Sequence, residues 1–290
     1  MKHLSGLFIA LIITGSVISS CGTQKKPVDQ DSFPYESFEI MRGTNIAHWL
    51  SQSQRRGSER ETFFTEKDVK FIDSCGFDHI RLPIDEEQMW DESGKRNEDA
   101  FTLMKNCLDW CQKAGLRVII DLHILRSHHF NEEVKPLWTD PAEQDQFIAL
   151  WKDLSDFLKE QPLAMVAYEP MNEPVADDPE EWNVLLARVV TAIRQWEPQR
   201  VIVIGSNRWQ SATTFDELRV PANDTNIILS YHFYEPFFLT HYQAAWTDLK
   251  DFTGQVNYPG QIVLNSNLPE HLRVYNRDTL VKMMEKPLRV

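Results

Sequence analysis

The sequence predicts an α/β fold, a (β/α)8 TIM barrel with about six of its eight β/α units present. Three observations carry the prediction. Short apolar runs alternate with longer amphipathic stretches, the pattern of βαβ units around a parallel sheet. Polar residues cluster at the carboxyl end of every run. No G-x-G-x-x-G follows any run, so a dinucleotide-binding fold has no support.

The strands are expected at Phe38–Asn45, Phe77–Leu82, Leu116–His123, Leu163–Glu169, Arg200–Gly205 and Asn226–His232. Parallel strands are buried on both faces and read as nearly continuous apolar runs, as Val118-Ile119-Ile120 does. Helices are expected near Glu66–Ser74, Asp99–Ala114, Pro141–Lys159 and Glu180–Trp196. Asp99 and Asp140 stand where N-caps fall, Gly76 and Gly115 where helices stop. Beyond the sixth strand, Tyr258-Pro259-Gly260 and Pro269 read as loop, and Asn276-Arg277-Asp278 opens a helix over Thr279–Val290. The pattern shows no seventh or eighth strand. An open barrel leaves bare sheet edges, so the chain is expected to be a piece of a longer protein.

The polar strand ends define a candidate site. The first strand ends in Asn45 with His48-Trp49 beyond it, the second in Arg81, the third in Asp121 and His123. The fourth leads into Asn172-Glu173-Pro174, the fifth into Asn207 and Trp209, the sixth into His232 and Tyr234. In a β/α barrel this rim is where catalysis is built. A glutamate in a partly apolar pocket favours its neutral form and can donate a proton, the reading given to Glu173. An adjacent asparagine can bind a sugar hydroxyl. Glu169 has the parity of an inward residue and reads as a core carboxylate with partners. Trp49 and Trp209 are candidate sugar platforms, because indole stacks on the apolar face of a sugar ring; Trp138 and Trp90 are weaker candidates. His128-His129, in the loop after the third strand, reads as solvated with a rim contact as the alternative, and Gln54-Arg55-Arg56 reads as an exposed loop.

A net charge of −13 argues against nucleic acid as a partner, since phosphate binding needs concentrated Lys and Arg. Nine Trp and seven Tyr suit a carbohydrate ligand. Cys107 and Cys111 lie four apart on an expected helix without a second His/Cys pair nearby, so they read as small buried hydrophobes; no metal and no cofactor is expected. A disulfide from Cys75 to one of them stays open.

The segments RGTNIAHWL (42–50), FDHIRLP (77–83), VIIDLHIL (118–125), YEPMNEP (168–174), VIVIGSNRWQS (201–211) and SYHFYEP (230–236) occur in this order from the first strand to the sixth. With them the chain resembles glycoside hydrolase family 5, the cellulase family in the clan of β/α-barrel glycosidases. The resemblance implies a retaining hydrolase of β-glucans, an endo-β-1,4-glucanase, with a mannanase, a mixed-linkage glucanase or a non-catalytic glycan-binding lipoprotein as alternatives. It implies that Glu173 is the acid/base and that Arg81, His123, Asn172, His232 and Tyr234 surround the reacting sugar. It also implies a nucleophilic glutamate ending a seventh strand. No residue of this chain matches it, so this stretch alone is expected to be inactive. Glu270, Glu235 and Glu169 are poorer substitutes.

The N-terminus reads as a targeting segment. Met1-Lys2-His3 is a short basic start, Leu7 to Ile18 an apolar stretch too short to span a bilayer, and Ile18-Ser19-Ser20-Cys21 resembles a lipoprotein cleavage box. The expected domains are a lipoprotein signal (1–21), a polar tether (22–34) and one barrel domain (35–290), C-terminally incomplete. The expected product is a monomer held by its lipid on a Gram-negative membrane, at the cell surface or in the periplasm. Cys21→Ala should move the protein from the membrane fraction to the soluble fraction, and membrane association unchanged by the substitution rules the anchor out.

Overall fold

The structure, a computed structural model, describes residues 33–261 and 274–289. Six parallel strands lie side by side in chain order: β1 (Gly43–Asn45), β2 (His79–Asp85), β3 (Arg117–Ile124), β4 (Val166–Glu169), β5 (Ile202–Ile204) and β6 (Ile227–Leu229). Helices form the crossovers: α1 (Gly57–Phe63) and α2 (Glu66–Ser74) after β1, α3 (Glu86–Met89) and α4 (Glu98–Ala114) after β2, α5 (Pro141–Leu158) after β3, and α6 (Pro179–Trp196) after β4. Parallel strands in sequential order with helical returns form an arc of a (β/α)8 barrel, as the sequence predicts.

Local chemistry sets the helix ends. Asp140 accepts from the Ala142 N–H at 2.8 Å with Pro141 at the first helical position of α5, and Asp178 with Glu181 forms a capping box ahead of Pro179 on α6. Such caps are worth about 0.5–2 kcal/mol each. α4 is capped by Asn97, whose side chain accepts from Ala100 N, rather than by Asp99, and it stops at Gly115 with φ 70°.

Each strand has two faces. Ile80, Leu82, Ile84, Val118, Ile120, Leu122, Val166, Tyr168, Ile202 and Ile204 pack outward against Phe101, Met104, Leu108, Trp151, Leu154, Leu185 and Val189 of the helices. The inner face carries a smaller apolar cluster of Ile119, Ala167 and Val203, closed by Phe38. In register, Ile119 lies beside Ala167, and two residues on, Asp121 lies beside Glu169. The interior is therefore apolar below and charged at the carboxyl ends.

Several expected boundaries shift, each for a local reason. β1 is short because Phe38 leaves the strand line to pack on the inner cluster, and Met41 N and Arg42 N bond Asp78 Oδ2 instead of a strand. His232 lies past β6 and forms only an isolated bridge with Ser211. Gly260–Gln261, expected as loop, pairs antiparallel with Val274–Tyr275. The helix expected over Thr279–Val290 begins behind Asn276, runs Arg277–Met283 and gives way to a 3-10 turn, Pro287–Arg289; proline has no N–H to continue it. Cys75 is exposed while Cys107 and Cys111 are buried, and all three are free thiols, so no disulfide joins them. Cys21 and Glu270 lie outside the described residues.

One buried ion pair ties the outer layer. Arg200 is fully buried and donates to Glu197 Oε2 at 2.8 Å and to the carbonyls of Val166, Gln161 and Pro162 at 3.0, 3.1 and 3.3 Å. Glu197 Oε1 accepts from Tyr168 Oη and Ser155 Oγ, both at 2.7 Å. Arg200→Met would strand the Glu197 charge and take the donor from the Val166 and Gln161 carbonyls, so we expect a loss of about 3–5 kcal/mol in denaturant unfolding, partly recovered by adding Glu197→Gln. A loss under about 1 kcal/mol would mean that the cluster is not holding α5, β4 and β5 together.

Candidate active site

The carboxyl ends of the strands converge on one partly buried guanidinium. Arg81 of β2 donates through Nε and Nη2 to the two oxygens of Glu169 at 2.7 and 3.1 Å, and its Nη2 lies 2.8 Å from Asp121 Oδ2. Nη2 also reaches Asn172 Oδ1 at 2.9 Å, and Nη1 reaches Asn45 Oδ1 at 3.1 Å. Burial opposes the charge on Arg81, but the two carboxylates overcome it and hold the guanidinium protonated. Burial likewise opposes ionisation of Glu169, yet the charge and hydrogen bonds of Arg81 keep its carboxyl below the usual range. Asp121 goes the other way: burial pushes it up against the pull of Arg81, and its Oδ1 is buried without a partner.

Glu173 stands just beyond β4, one residue after Asn172. It is 8% exposed, and its Oε1 lies 2.6 Å from His232 Nδ1. Its backbone is left-handed, φ 47°, and its N–H donates to Gln210 Oε1 at 3.0 Å. With its oxygen committed to Arg81, Asn172 has its amide hydrogens left to donate. His123 Nδ1 sits 2.7 Å from Asp121 Oδ2. Tyr234 is half exposed and edge-on to His232 at 6.2 Å; burial and then the Glu173 charge raise its phenol pKa. Thus Arg81, His123, Asn172, Glu173, His232 and Tyr234, dispersed over the sequence, meet at one end of the sheet.

The two predicted tryptophan platforms part company. Trp209 is 44% exposed, with Nε1 donating to Phe130 O at 3.2 Å, so a ring face remains for a ligand. Trp49 is not a platform: it is fully buried against Phe64, and its Nε1 donates to Arg60 O at 2.8 Å. The chain reverses through left-handed His48, φ 58°, and the indole goes to the core. Trp90 is buried too, bonded to Asp153. His128 is not solvated either. It is 1% exposed, its Nε2 accepts from Val175 N at 3.2 Å, and burial pulls its pKa down to about 3.

Sequence reasoning singled out Asn207 and Trp209 but not the backbone contacts by which they hold the rim, and it missed Gln210. Asn207 exchanges two hydrogen bonds with the Ala176 backbone, at 2.9 and 3.0 Å. Trp209 N donates to Pro174 O at 3.2 Å. Arg208, Trp209 and Gln210 are all left-handed, with φ 55°, 61° and 52°. Such conformations cost about 1–3 kcal/mol each and persist only where the surroundings enforce them. The hint in the sequence was position alone, inside the 201–211 segment. Asp85 was also missed. Its Oδ2 accepts from Gln52 N at 2.6 Å, its Oδ1 is buried without a partner, and burial raises its pKa to about 6 despite the Gln52 bond.

The family described as Cellulase (glycosyl hydrolase family 5) matches residues 32–271. The chain is 36% identical over 227 residues to Endoglucanase C of Acetivibrio thermocellus, covering 76% of this chain and 65% of that protein. It is 31% identical to Cellodextrinase A of Ruminococcus flavefaciens, over 72% and 62% of the two chains. Solved structures of Thermotoga maritima Cel5A, one with cellobiose and one with mannotriose, match at TM-score 0.63 and 28% identity; each match covers 74% of this chain and 67% or 68% of the other. The chain thus spans slightly less than two thirds of the relatives it matches first.

Asp85 gives the site's surroundings a pH signature. Its folded-state pKa is raised above the unfolded value, so the native state binds the extra proton and stability falls as pH rises from about 4 to about 6. Asp85→Asn should be the more stable form above pH 6, by about 2–3 kcal/mol, and the two proteins should converge below pH 4. Parallel stability–pH curves for the two would mean Asp85 ionises freely.

Proposed function

From the premise that the chain belongs to glycosyl hydrolase family 5, we propose that the protein is a retaining glycosidase of β-linked glucans, acting as an endo-β-1,4-glucanase. One observation carries the reading: a carboxyl at the mouth of the barrel, Glu173, engaged by His232 and one residue from an asparagine held by the Arg81 layer. Glu173 protonates the leaving glycosidic oxygen while a second carboxylate attacks the anomeric carbon, and it then deprotonates the water that releases the sugar. Asn172 donates to the 2-hydroxyl, where hydrogen bonds tighten in the transition state. Tyr234 and Trp209 offer the exposed rings on which a sugar stacks.

The second carboxylate is not Glu169, whose two oxygens both accept from Arg81 and which is 2% exposed. Glu235 is a poor substitute as well, with Oε2 accepting from Phe237 N and Tyr275 Oη. The family pattern assigns the role to a glutamate ending a seventh strand.

β-Mannan is the second reading, favoured because the Cel5A structures carry both cellobiose and mannotriose. Among the described residues no helix is long and apolar enough to cross a membrane; we place the attachment at Cys21, with the polar stretch ahead of Phe33, which packs on the core, as tether, the catalytic domain following and the protein monomeric.

Reducing-sugar release on a panel of soluble β-glucans and β-mannans tests the class, and binding without release would leave a glycan-binding protein instead. Within the enzyme, Glu173→Gln should lower kcat about 10²–10⁴-fold on glucan. Aryl glycosides with activated leaving groups should suffer far less in the glycosylation step, and equal losses on both substrates would remove Glu173 from the acid role.

A further inference from the structure

Among the described residues of the rim, Gln210 alone bonds both Glu169 and the backbone of Glu173. It is 1% exposed and lies between the buried charge layer and Glu173. Its side-chain Nε2 donates to Glu169 Oε1 at 3.2 Å, and its Oε1 accepts the backbone N–H of Glu173 at 3.0 Å. Its own carbonyl accepts from His232 N at 2.8 Å, and the ring of that histidine lies on the Glu173 carboxyl. One residue therefore holds Glu173 from the backbone side directly and from the carboxyl side through His232. The local chain is shaped around it. A Cβ on Gly205 would lie 2.5 Å from Gln210 Nε2, so only glycine leaves room for the amide. Gln210 itself takes a left-handed backbone, φ 52°, to face both ways.

The amide is chemically matched to the place. Glu169 Oε1, ionised beside Arg81, takes the amide as a second donor, and the Glu173 N–H needs an acceptor. A carboxylate could serve only the second, and an alkyl group neither. The Glu173 N–H is buried, so left without its acceptor it costs its full desolvation.

We propose that Gln210 is a positioning residue for Glu173, fixing the left-handed backbone from which the acid/base carboxyl reaches the glycosidic oxygen. The inference rests on the acid/base reading of Glu173 and adds a residue through which that carboxyl is aimed. Misplacing a proton donor by a fraction of an ångström harms proton transfer more than sugar binding.

Gln210→Met keeps the volume and removes both hydrogen bonds. In the intact enzyme it should lower kcat on glucan about 10–100-fold, with KM within about twofold and much smaller losses on activated aryl glycosides. Gln210→Glu tests the chemistry by pH. The groups facing the new carboxyl are Glu169 of β4, Arg81 of β2 behind it, Glu173 in the loop after β4, and His232 after β6. Protonated, a glutamate can donate to Glu169 and accept from Glu173 N as the amide does; ionised, it repels Glu169. Its activity relative to wild type should therefore recover as pH falls, whereas that of Gln210→Met should not. A structural role alone predicts a lower melting temperature with equal losses on both substrate types, and that result, or a relative activity of Gln210→Glu independent of pH, would overturn the proposal. The Glu173 backbone amide proton, followed by NMR in the same proteins, reads the contact without turnover. It should move upfield in Gln210→Met, and an unmoved signal overturns the positioning role. If wild type hydrolyses none of the glycans, the glycosidase reading falls, and the amide signal still decides whether Gln210 holds Glu173.

Discussion

The site depends on a single cation, the partly buried guanidinium of Arg81, held between the buried carboxylates of Glu169 and Asp121. Four strands and the loop after β4 meet on it: Asn45 from β1, Arg81 from β2, Asp121 from β3, Glu169 from β4, and Asn172 beyond. A buried charge is tolerable only when paired and fully hydrogen-bonded, and removing one partner leaves the others stranded. The fork of Arg81 suits the arrangement, because its planar donors meet both Glu169 oxygens at once. A lysine would offer one point charge and no fixed plane.

From that cation, order passes outward along hydrogen bonds. Glu169 reaches Gln210, Gln210 reaches the backbone of Glu173, and Asp121 reaches His123. The left-handed residues cluster at the end of this chain of contacts: Glu173, and Arg208 to Gln210. Their conformational cost is met by neighbours that allow no alternative, such as the Asn207–Ala176 pair and the Trp182 indole donating to Gly205 O at 2.9 Å. The apolar cluster beneath, with Phe38 on Ile119, Ala167 and Val203, supports the polar layer from below. The strands thus supply rigidity, and the loops at their carboxyl ends supply the chemistry.

Parallel strands with helices between them were legible because they obey short-range rules. A strand buried on both faces must be apolar throughout, and a helix must start at a capping side chain and end where the backbone can turn. Glu66–Ser74 falls where expected, and α5 and α6 shift by one residue at a single end. The charged rim residues were legible for a related reason. His123, Glu173 and His232 stand where apolar runs give out, Arg81 interrupts one inside β2, and a polar group in or at the end of such a run is costly unless it has work there. Phe38 was misplaced because its partners, Ile119 and Ala167, are far away in sequence.

By itself, then, the sequence determined the α/β class, the order of its six strands and the residues bearing charge at their carboxyl ends, since periodicity and residue chemistry are local properties. Only the tertiary structure decided which of those residues touch. It sent Trp49 to the core and left Trp209 at the surface, although both follow strands by a few residues. It buried His128, made Arg81 the common partner of Asp121 and Glu169, and placed Gln210 between Glu169 and Glu173. The reason is that burial and partnership belong to pairs of segments brought together by the barrel. Glutamine, tryptophan and histidine carry no local mark that says which side of a loop will face the solvent.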